Sequence, residues 1–432
     1  MPDRSEVAYF GAGPAPLPTK VLVKGAEAFV NFQNTGLSLA EISHRSQTAN
    51  QILADTKAAL TTLLEIPDSH DILFMHGGGS AEFSAVVLNM VAVWVEKRRR
   101  EAEKDLGQDS AAIIERVRKE LQDYLRLDYL VTGSWSLKAS QEAANLLEPL
   151  GKGFVNVAVD SRKSASGKFD NIPAEDAWTL TQPRNQGGKT SAFVYYCDNE
   201  TVDGVEFPNF PKCLDPDSSD EVPVVADMSS NFLSRRVDVS KHAVIFGGAQ
   251  KNIGITDVTL VIVRKDVLAT QPPPSFLHAV GVWSPPTILS WPVVAKNNSL
   301  YNTMPIFSIW IAGEVMRGLL ETHQDRQLAG QEEVANAKAK QIYDALDRYP
   351  EVYQIVPDRS VRSRMNICFR VNGGDAGQEK AFLEGAEAQL LQGLKGHRSV
   401  GGIRISNYNA VDVDKVRRLT RYLEGFARKS KR

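Results

Sequence analysis

The stretch that most constrains this chain runs from Val222 to Lys265, VPVVADMSSNFLSRRVDVSKHAVIFGGAQKNIGITDVTLVIVRK. It holds three short apolar runs, VPVVAD, HAVIFGG and VTLVIVR, separated by polar connections. Runs of that length, rich in β-branched side chains, suit strands of a sheet covered on both faces. Asp227 closes the first run, and Lys251 stands just after the second. A lysine beside Gly247-Gly248, framed by Gln250 and Asn252, is placed to be an imine-forming amine at a strand mouth. Partial burial there lowers its pKa and makes the neutral, nucleophilic form accessible. A carboxylate on a neighbouring strand end then suits a protonated pyridine nitrogen, the arrangement that pyridoxal 5′-phosphate (PLP) chemistry needs. The same residues also read as a solvated lysine and a capping aspartate, and no short motif here decides between the two.

With 432 residues the chain can bury a large core and form roughly two or three domains. A charged fraction of 24% that nets to only −2 argues against nucleic acid or a membrane surface as the main partner. Cys197, Cys213 and Cys368 are far apart and give neither a disulfide framework nor a zinc spacing. A reducing compartment fits them, so the expected location is cytoplasmic. The start, MPDRSEVAYFGAGPAPLP, lacks the apolar core of a secretory signal. No apolar run approaches the roughly twenty residues of a membrane span.

In chain order, GAGPAPLP is a rigid turn and Lys20 to Asn31 an amphipathic helix. EISHRS leads into a helix from about Gln47 to Leu64, which puts His44-Arg45 at a loop-to-helix junction, as an anion site or a solvated pair. DILFMHGGGSAEF predicts a strand from Ile72 to Met75, three glycines, and a helix starting near Ala81. Glycine backbone before a helix presents free N–H groups and the positive dipole end to a phosphate, although a plain tight turn has the same residues. Residues 96–128 predict a solvated helical hairpin, in which KRRR is balanced by glutamates. YLVTGSWS predicts a strand ending at Trp135, either core or a stacking surface for a flat ring. QPRNQGGKT and LDPDSSDE read as loops, and the proline-rich run after Arg264 as an irregular surface segment. From about residue 330 helices and strands alternate on a smaller scale, as in a compact α/β or α+β domain. Within that part, KGHRSVGGIR carries His397-Arg398 and Arg404, which suit carboxylate or phosphate, or an exposed turn.

Taken together, GPAPLP, EISHR, HGGGS, CDNETVDG, VVADMSS, LSRRVDVS, GGAQKNIG, YNT, SRMN and KGHRSVGGIRISNYNA resemble the phosphoserine aminotransferases, and they fall in family order along nearly the whole chain. GGAQKNIG and KGHRSVGGIR are the specific ones. The resemblance implies a fold-type-I PLP-dependent α/β transferase. Its large domain, residues 16–325, would surround a mostly parallel seven-stranded sheet, with a helical insertion at about 96–128. Residues 1–15 and 326–432 would form the smaller α/β (α+β) domain.

By the same resemblance Lys251 is the imine-forming lysine, Asp227 the partner of the pyridine nitrogen, and Trp135 the ring-stacking aromatic, with Thr201 near the phenolic oxygen. Gly79, Ser80 and Gln250 would form the phosphate cup, completed by Asn302 and Thr303 of the partner subunit in a homodimer. Arg404 would take the substrate α-carboxylate. His397 and Arg398, with His44 and Arg45 of the partner subunit, would take its phosphate. The implied reaction is a reversible amino transfer between L-glutamate and 3-phosphohydroxypyruvate, giving O-phospho-L-serine and 2-oxoglutarate for serine biosynthesis. Some members also accept the 4-phosphohydroxy-threonine skeleton of vitamin B6 synthesis. Two departures stand out: Ser80 where many bacterial members have arginine, and NIGITDVT after the lysine where NIGPAG is usual. A cysteine desulfurase would need a mobile nucleophilic cysteine, and Cys368 lies inside the apolar run NICFRV. A scaffold without catalysis would not need Lys251, Asp227 and Trp135 in their motifs.

Overall fold

The computed structural model describes residues 2–181, 190–215 and 222–430. The loops expected at QPRNQGGKT and LDPDSSDE lie almost entirely outside the described residues. In chain order come β1 (Ala8–Tyr9), α1 (Thr19–Val30), α2 (Gln47–Leu64), β2 (His70–Met75), α3 (Gly78–Leu106) and α4 (Ser110–Tyr124). Next are β3 (Leu125–Val131), α5 (Ser134–Leu147), β4 (Val155–Asp160), β5 (Thr190–Cys197), β6 (Val224–Asp227), β7 (Val244–Gly248) and β8 (Thr259–Arg264). After three short helices come α6 (Ile306–His323), α7 (Gln327–Asp347), β9 (Tyr353–Ile355), β10 (Asn366–Val371), α8 (Ala376–Glu387), β11 (Leu391–Gln392), β12 (Ile403–Ser406) and α9 (Val413–Ser430).

The three apolar runs of the opening stretch are β6, β7 and β8, adjacent in a seven-stranded sheet of order β2-β8-β7-β6-β5-β3-β4. Only β8 runs against its neighbours, β2 and β7; the other pairings are parallel. Alternate residues feed two separate cores. Ala226, Ile245 and Ile262 pack with Leu53, Leu60 and Ile309 on one face. Val225, Phe246 and Val261 pack with Val86, Met90 and Trp94 on the other. Helices on both faces explain why these strands are apolar throughout rather than alternating. Each fully buried Val, Leu or Phe contributes about 1.5–3 kcal/mol, which fixes the strand ends that carry Asp227 and Lys251.

A second unit is built on the antiparallel sheet β12-β10-β9, with α7, α8 and α9 over a core that includes Phe369, Phe382 and Leu419. The N-terminus joins it: β1 pairs with β11, and Ala8 and Phe10 are buried in that same core. On α9 the buried residues Val416, Leu419, Thr420, Leu423 and Ala427 follow helical spacing.

The structure corrects several expectations. Trp135 does not end a strand: β3 stops at Val131, Gly133 stays extended as the N-cap, and the helix begins at Ser134, which puts Trp135 in the first turn of α5. Helix α3 starts at Gly78 rather than near Ala81, with Gly77 in left-handed backbone as an N-cap that provides no side-chain hydrogen bond. Residues 96–106 continue α3 without interruption, α4 folds back on it, and residues 125–128 already belong to β3, so the hairpin is shorter than expected. The proline-rich run after Arg264 is not a purely surface segment. It contains helices Pro274–Ala279 and Trp291–Lys296, and Trp291 is fully buried, because prolines at helix N-termini start helices as well as break them. Finally, α3 is long and apolar enough to cross a membrane by length and composition, although most of its apolar window is buried inside the protein.

Candidate active site

The parallel strands and β2 all point their carboxyl ends to one side of the sheet, where open α/β sheets place their ligands. A cavity of about 360 Å³ lies there, lined by the ends of β5, β6 and β7, the N-termini of α3 and α5, and Ala12, Gly13, His397 and Arg404 from the N-terminal and C-terminal parts. Of the residues singled out in the sequence, Gly79, Ser80, Trp135, Thr201, Asp227, Gln250, Lys251, His397 and Arg404 all line it.

Lys251 follows β7 and is buried, with Nζ donating to Thr201 Oγ1 at 2.6 Å. Desolvation lowers its pKa, and the charge of Asp227 pulls the other way. Asp227 ends β6. Its Oδ1 accepts from the backbone N of Ser229 at 2.8 Å and from Ser229 Oγ at 2.6 Å. Ser229 Oγ in turn accepts from Gly248 N at 3.2 Å, so the ends of β6 and β7 are tied together. Oδ2 faces Gly79, within 4.0 Å of where a β-carbon there would sit. Burial raises the pKa of Asp227, with the Ser229 bonds and Lys251 opposing; a cationic partner at Oδ2 would complete that opposition.

The glycine turn between β2 and α3 places Gly77 and Gly78 at φ 90° and 65°, backbone that side chains other than glycine rarely adopt. The N-cap, Gly77, offers no side-chain cap, so the first-turn N–H groups of α3 point at the cavity with no intrahelical acceptor. Gly248 serves Gln250: a β-carbon on it would fall 2.5 Å from Gln250 Oε1. The N-terminal turn reaches the same place through Ala15 N, which donates to Gln250 O at 2.9 Å. Trp135 is half-buried, and the Lys138 ammonium lies 4.2 Å from its ring centroid. Arg404 Nη1 donates to Thr201 O at 3.2 Å, and His397 Nδ1 pairs with Ser399 Oγ at 2.6 Å.

Five expected residues are not brought to the cavity within this chain. Arg398 is exposed in the turn that closes through Val400 N and Gly401 N on His397 O, and only its neighbour His397 reaches the lining. His44 and Arg45 stand at the start of α2, and Asn302 and Thr303 in the segment before α6, with Asn302 Nδ2 3.4 Å from His76 Nε2. Residues that sequence reasoning did not assign also line the site: Gly13, Phe83, Asn199, Ser229 and Ser230. Ser229 had a signal, since a serine two residues after Asp227 can cap the carboxylate that precedes it. Gly13 and Asn199 had none, because their place depends on contacts between distant segments. Cys197 and Cys368 are both buried, and burial pushes the Cys368 thiol up to about 12, which leaves it inert. A larger cleft, of about 490 Å³, lies at Arg235 and His242. Its buried Arg235 is paired with Asp198, and its His242 with Tyr196 Oη and Asp238 O.

The donor set of the smaller cavity fits PLP: an uncapped helix N-terminus for a phosphate, an aromatic face for a ring, a buried carboxylate for a ring nitrogen and a buried amine for an aldehyde. Comparisons with known proteins agree. The family model Aminotransferase class-V matches residues 7–130 and 155–419. The phosphoserine aminotransferase of Saccharomyces cerevisiae is 40% identical over 431 residues, 99% of each chain. That of Drosophila melanogaster is 39% identical over 427 residues, covering 98% of this chain and all of its own. Among solved structures, the phosphoserine aminotransferase of Bacillus circulans subsp. alkalophilus superposes with a TM-score of 0.79 at 34% identity, covering 98% of both chains. The PLP-bound phosphoserine aminotransferase of Trichomonas vaginalis gives 0.77 at 33% identity, covering 96% of this chain and 99% of its own. The chain therefore belongs to the class-V aminotransferases, within their phosphoserine aminotransferase family, whose cofactor is pyridoxal phosphate.

Proposed function

We propose that this chain moves an amino group reversibly between L-glutamate and 3-phosphohydroxypyruvate, yielding O-phospho-L-serine and 2-oxoglutarate. The observation that carries the reading is the convergence of Asp227 and Lys251, from the ends of adjacent strands, with His397 and Arg404, from a segment about 150 residues later, on one cavity. When bound, PLP supplies a conjugated ring that delocalises the electron pair left at a substrate Cα. The N–H groups of Gly79 and Ser80, with Gln250, would hold its phosphate, and Trp135 would lie against its ring. Asp227 Oδ2 would hold a proton on the ring nitrogen, and Thr201 would stand near the phenolic oxygen. Loss of an arginine at position 80 matters little if the backbone N–H does the binding.

Lys251 Nζ would hold the cofactor and, once released by an incoming amino acid, take the proton from its Cα. Desolvation favours the neutral amine that such a base requires. A substrate with both a carboxylate and a phosphate needs two cationic sites. Arg404 would bind the carboxylate, and His397 the phosphate. Arg398 and, in a homodimer, His44 and Arg45 of the partner subunit would complete the phosphate site; Asn302 and Thr303 of the partner subunit would complete the cofactor's cup. The division into a large domain (16–325) and a small one (1–15 with 326–432) belongs to this reading, supported by the pairing of β1 with β11. So does a cytoplasmic location, supported by three cysteines that are all free.

The test is the absorbance of the purified protein. A visible cofactor band should disappear with O-phospho-L-serine, not with L-alanine or L-cysteine, and return with 2-oxoglutarate. A response to alanine or cysteine instead would overturn the substrate assignment. Lys251→Ala should fold, bind cofactor without turnover, and lose activity by several orders of magnitude; activity within tenfold of wild type would remove Lys251 from its role.

A further inference from the structure

Between Asn199 and Phe207 the chain leaves β5 and runs under the start of α5, 65 residues earlier in sequence. Two buried carboxylates in this loop are spent wholly on that helix. Glu200 Oε2 accepts from Trp135 N at 2.8 Å and Oε1 from Ser136 N at 2.9 Å, and Asp203 Oδ2 accepts from Ser134 N at 2.7 Å. The three successive first-turn N–H groups that carry Trp135 are therefore held by acids from a distant loop rather than by a local cap. The approach is possible only because residue 133 is glycine: a β-carbon there would fall 2.3 Å from Glu200 Cδ. Between the two acids sits Thr201, which accepts from Lys251 Nζ through its hydroxyl and from Arg404 Nη1 through its carbonyl. Asn199, just before, bonds Ser230 Oγ at 2.6 Å and Asn366 Oδ1 at 2.8 Å, so the loop is anchored to both structural units.

We propose that Glu200 and Asp203 are positioning residues that set the indole of Trp135 against the cofactor ring and hold it in register with Lys251 and Arg404. A helix start capped by a flexible surface serine would leave that ring free to tilt. Two buried acids on a loop that also bonds Lys251 and Arg404 give the stacking surface, the amine and the carboxylate site one common support. Neither acid lines the cavity, and Glu200 bonds the backbone of Trp135 and Ser136, so its effect on the cofactor must pass through Trp135. The inference rests on the PLP-site reading above.

The experiment is a double-mutant cycle on apoenzyme reloaded with PLP, using wild type, E200A, W135A and W135A/E200A. Cofactor dissociation constants and the visible circular dichroism of bound cofactor are read first, then KM and kcat for phosphoserine. E200A should weaken cofactor binding about tenfold and shrink the visible dichroic band, with far-ultraviolet spectra near wild type and a lowered melting temperature, since two buried N–H groups lose their acceptor. W135A/E200A should bind no more weakly than W135A alone, because Glu200 acts through that ring. Should E200A fail to fold, E200Q carries the same comparison, since it keeps one acceptor oxygen but sets an NH2 against a backbone N–H. A wild-type band and affinity in the Glu200 variant, or losses that multiply in the double variant, would overturn the inference while leaving the site assignment intact. Absence of any cofactor band in wild type would instead overturn the site assignment, and this inference with it.

Discussion

Glu82 lies one turn into α3 and is completely buried. Its Oε2 accepts from Trp291 Nε1 at 3.4 Å, and Oε1 has no hydrogen-bond partner among the described residues. Burial pushes its carboxyl from the usual 4.5 up to about 8, the charge of Asp227 adds to the rise, and the Trp291 bond opposes it. The folded protein thus keeps this proton at pH values where the unfolded chain has released it. Stability from this group is full below pH 4.5 and is lost progressively as pH climbs through about 8. At about 1.4 kcal/mol per pH unit the whole interval sets a ceiling of about 5 kcal/mol, and the span from pH 6 to 8 accounts for about 2–3 kcal/mol. Glu82→Gln removes that dependence. At pH 6 it should be less stable than wild type by about 1–3 kcal/mol, the cost of burying an amide with an unsatisfied donor. At pH 8 the gap should close or reverse. Urea unfolding of both cofactor-loaded proteins at pH 6, 7 and 8, followed with one probe, measures the difference while other titrating groups cancel. A wild-type minus variant difference constant to within about 0.5 kcal/mol over that range would show that Glu82 does not hold its proton when folded.

Arg404→Ala should raise KM for the carboxylate substrates by roughly 10–100-fold, as expected for a lost charged hydrogen bond of about 1.5–3 kcal/mol, with a smaller change in kcat; a normal KM would remove Arg404 from the substrate site. Arg235→Met should destabilise the fold by about 3–5 kcal/mol because it strands the buried carboxylate of Asp198, and pairing it with Asp198→Asn should recover part of the loss in chemical unfolding. Lys338 is buried with Nζ on Tyr408 O and Val411 O, and burial lowers its pKa from 10.5 to about 7. In the window from about pH 7 to 10.5 the unfolded chain binds the proton that the folded one has given up, so stability should rise with pH there. Lys338→Met should flatten that rise, and parallel pH profiles for variant and wild type would refute it.

Local chemistry made much of this protein readable from its sequence. The β-branched runs at 222–265 became adjacent strands of a doubly covered sheet, helix α2 has the ends expected of it, and the glycine turn at 77–79 opens a helix without a cap. Each of these follows from periodicity, β-branching or glycine's backbone freedom, which act within a few residues. The reactive pair Asp227 and Lys251 stood out for the same reason: polar groups at the ends of apolar runs. What local rules did not reach was anything that depends on which distant segments meet. Gly133 could not reveal that Trp135 starts a helix, since that helix is held by Glu200 and Asp203 from a loop 65 residues away. Nor could the proline-rich run show that Trp291 is core, because its burial depends on α3 lying across it. The strand order, the reversed β8, and the meeting of Gly13, Thr201, Lys251 and Arg404 in one cavity are decided by tertiary packing. Burial then sets the pKa values of Lys251, Asp227 and Glu82. Sequence thus specified the chemical groups, and the fold alone decided their neighbours and their solvation, because desolvation is a property of a closed interior and not of any short stretch of chain.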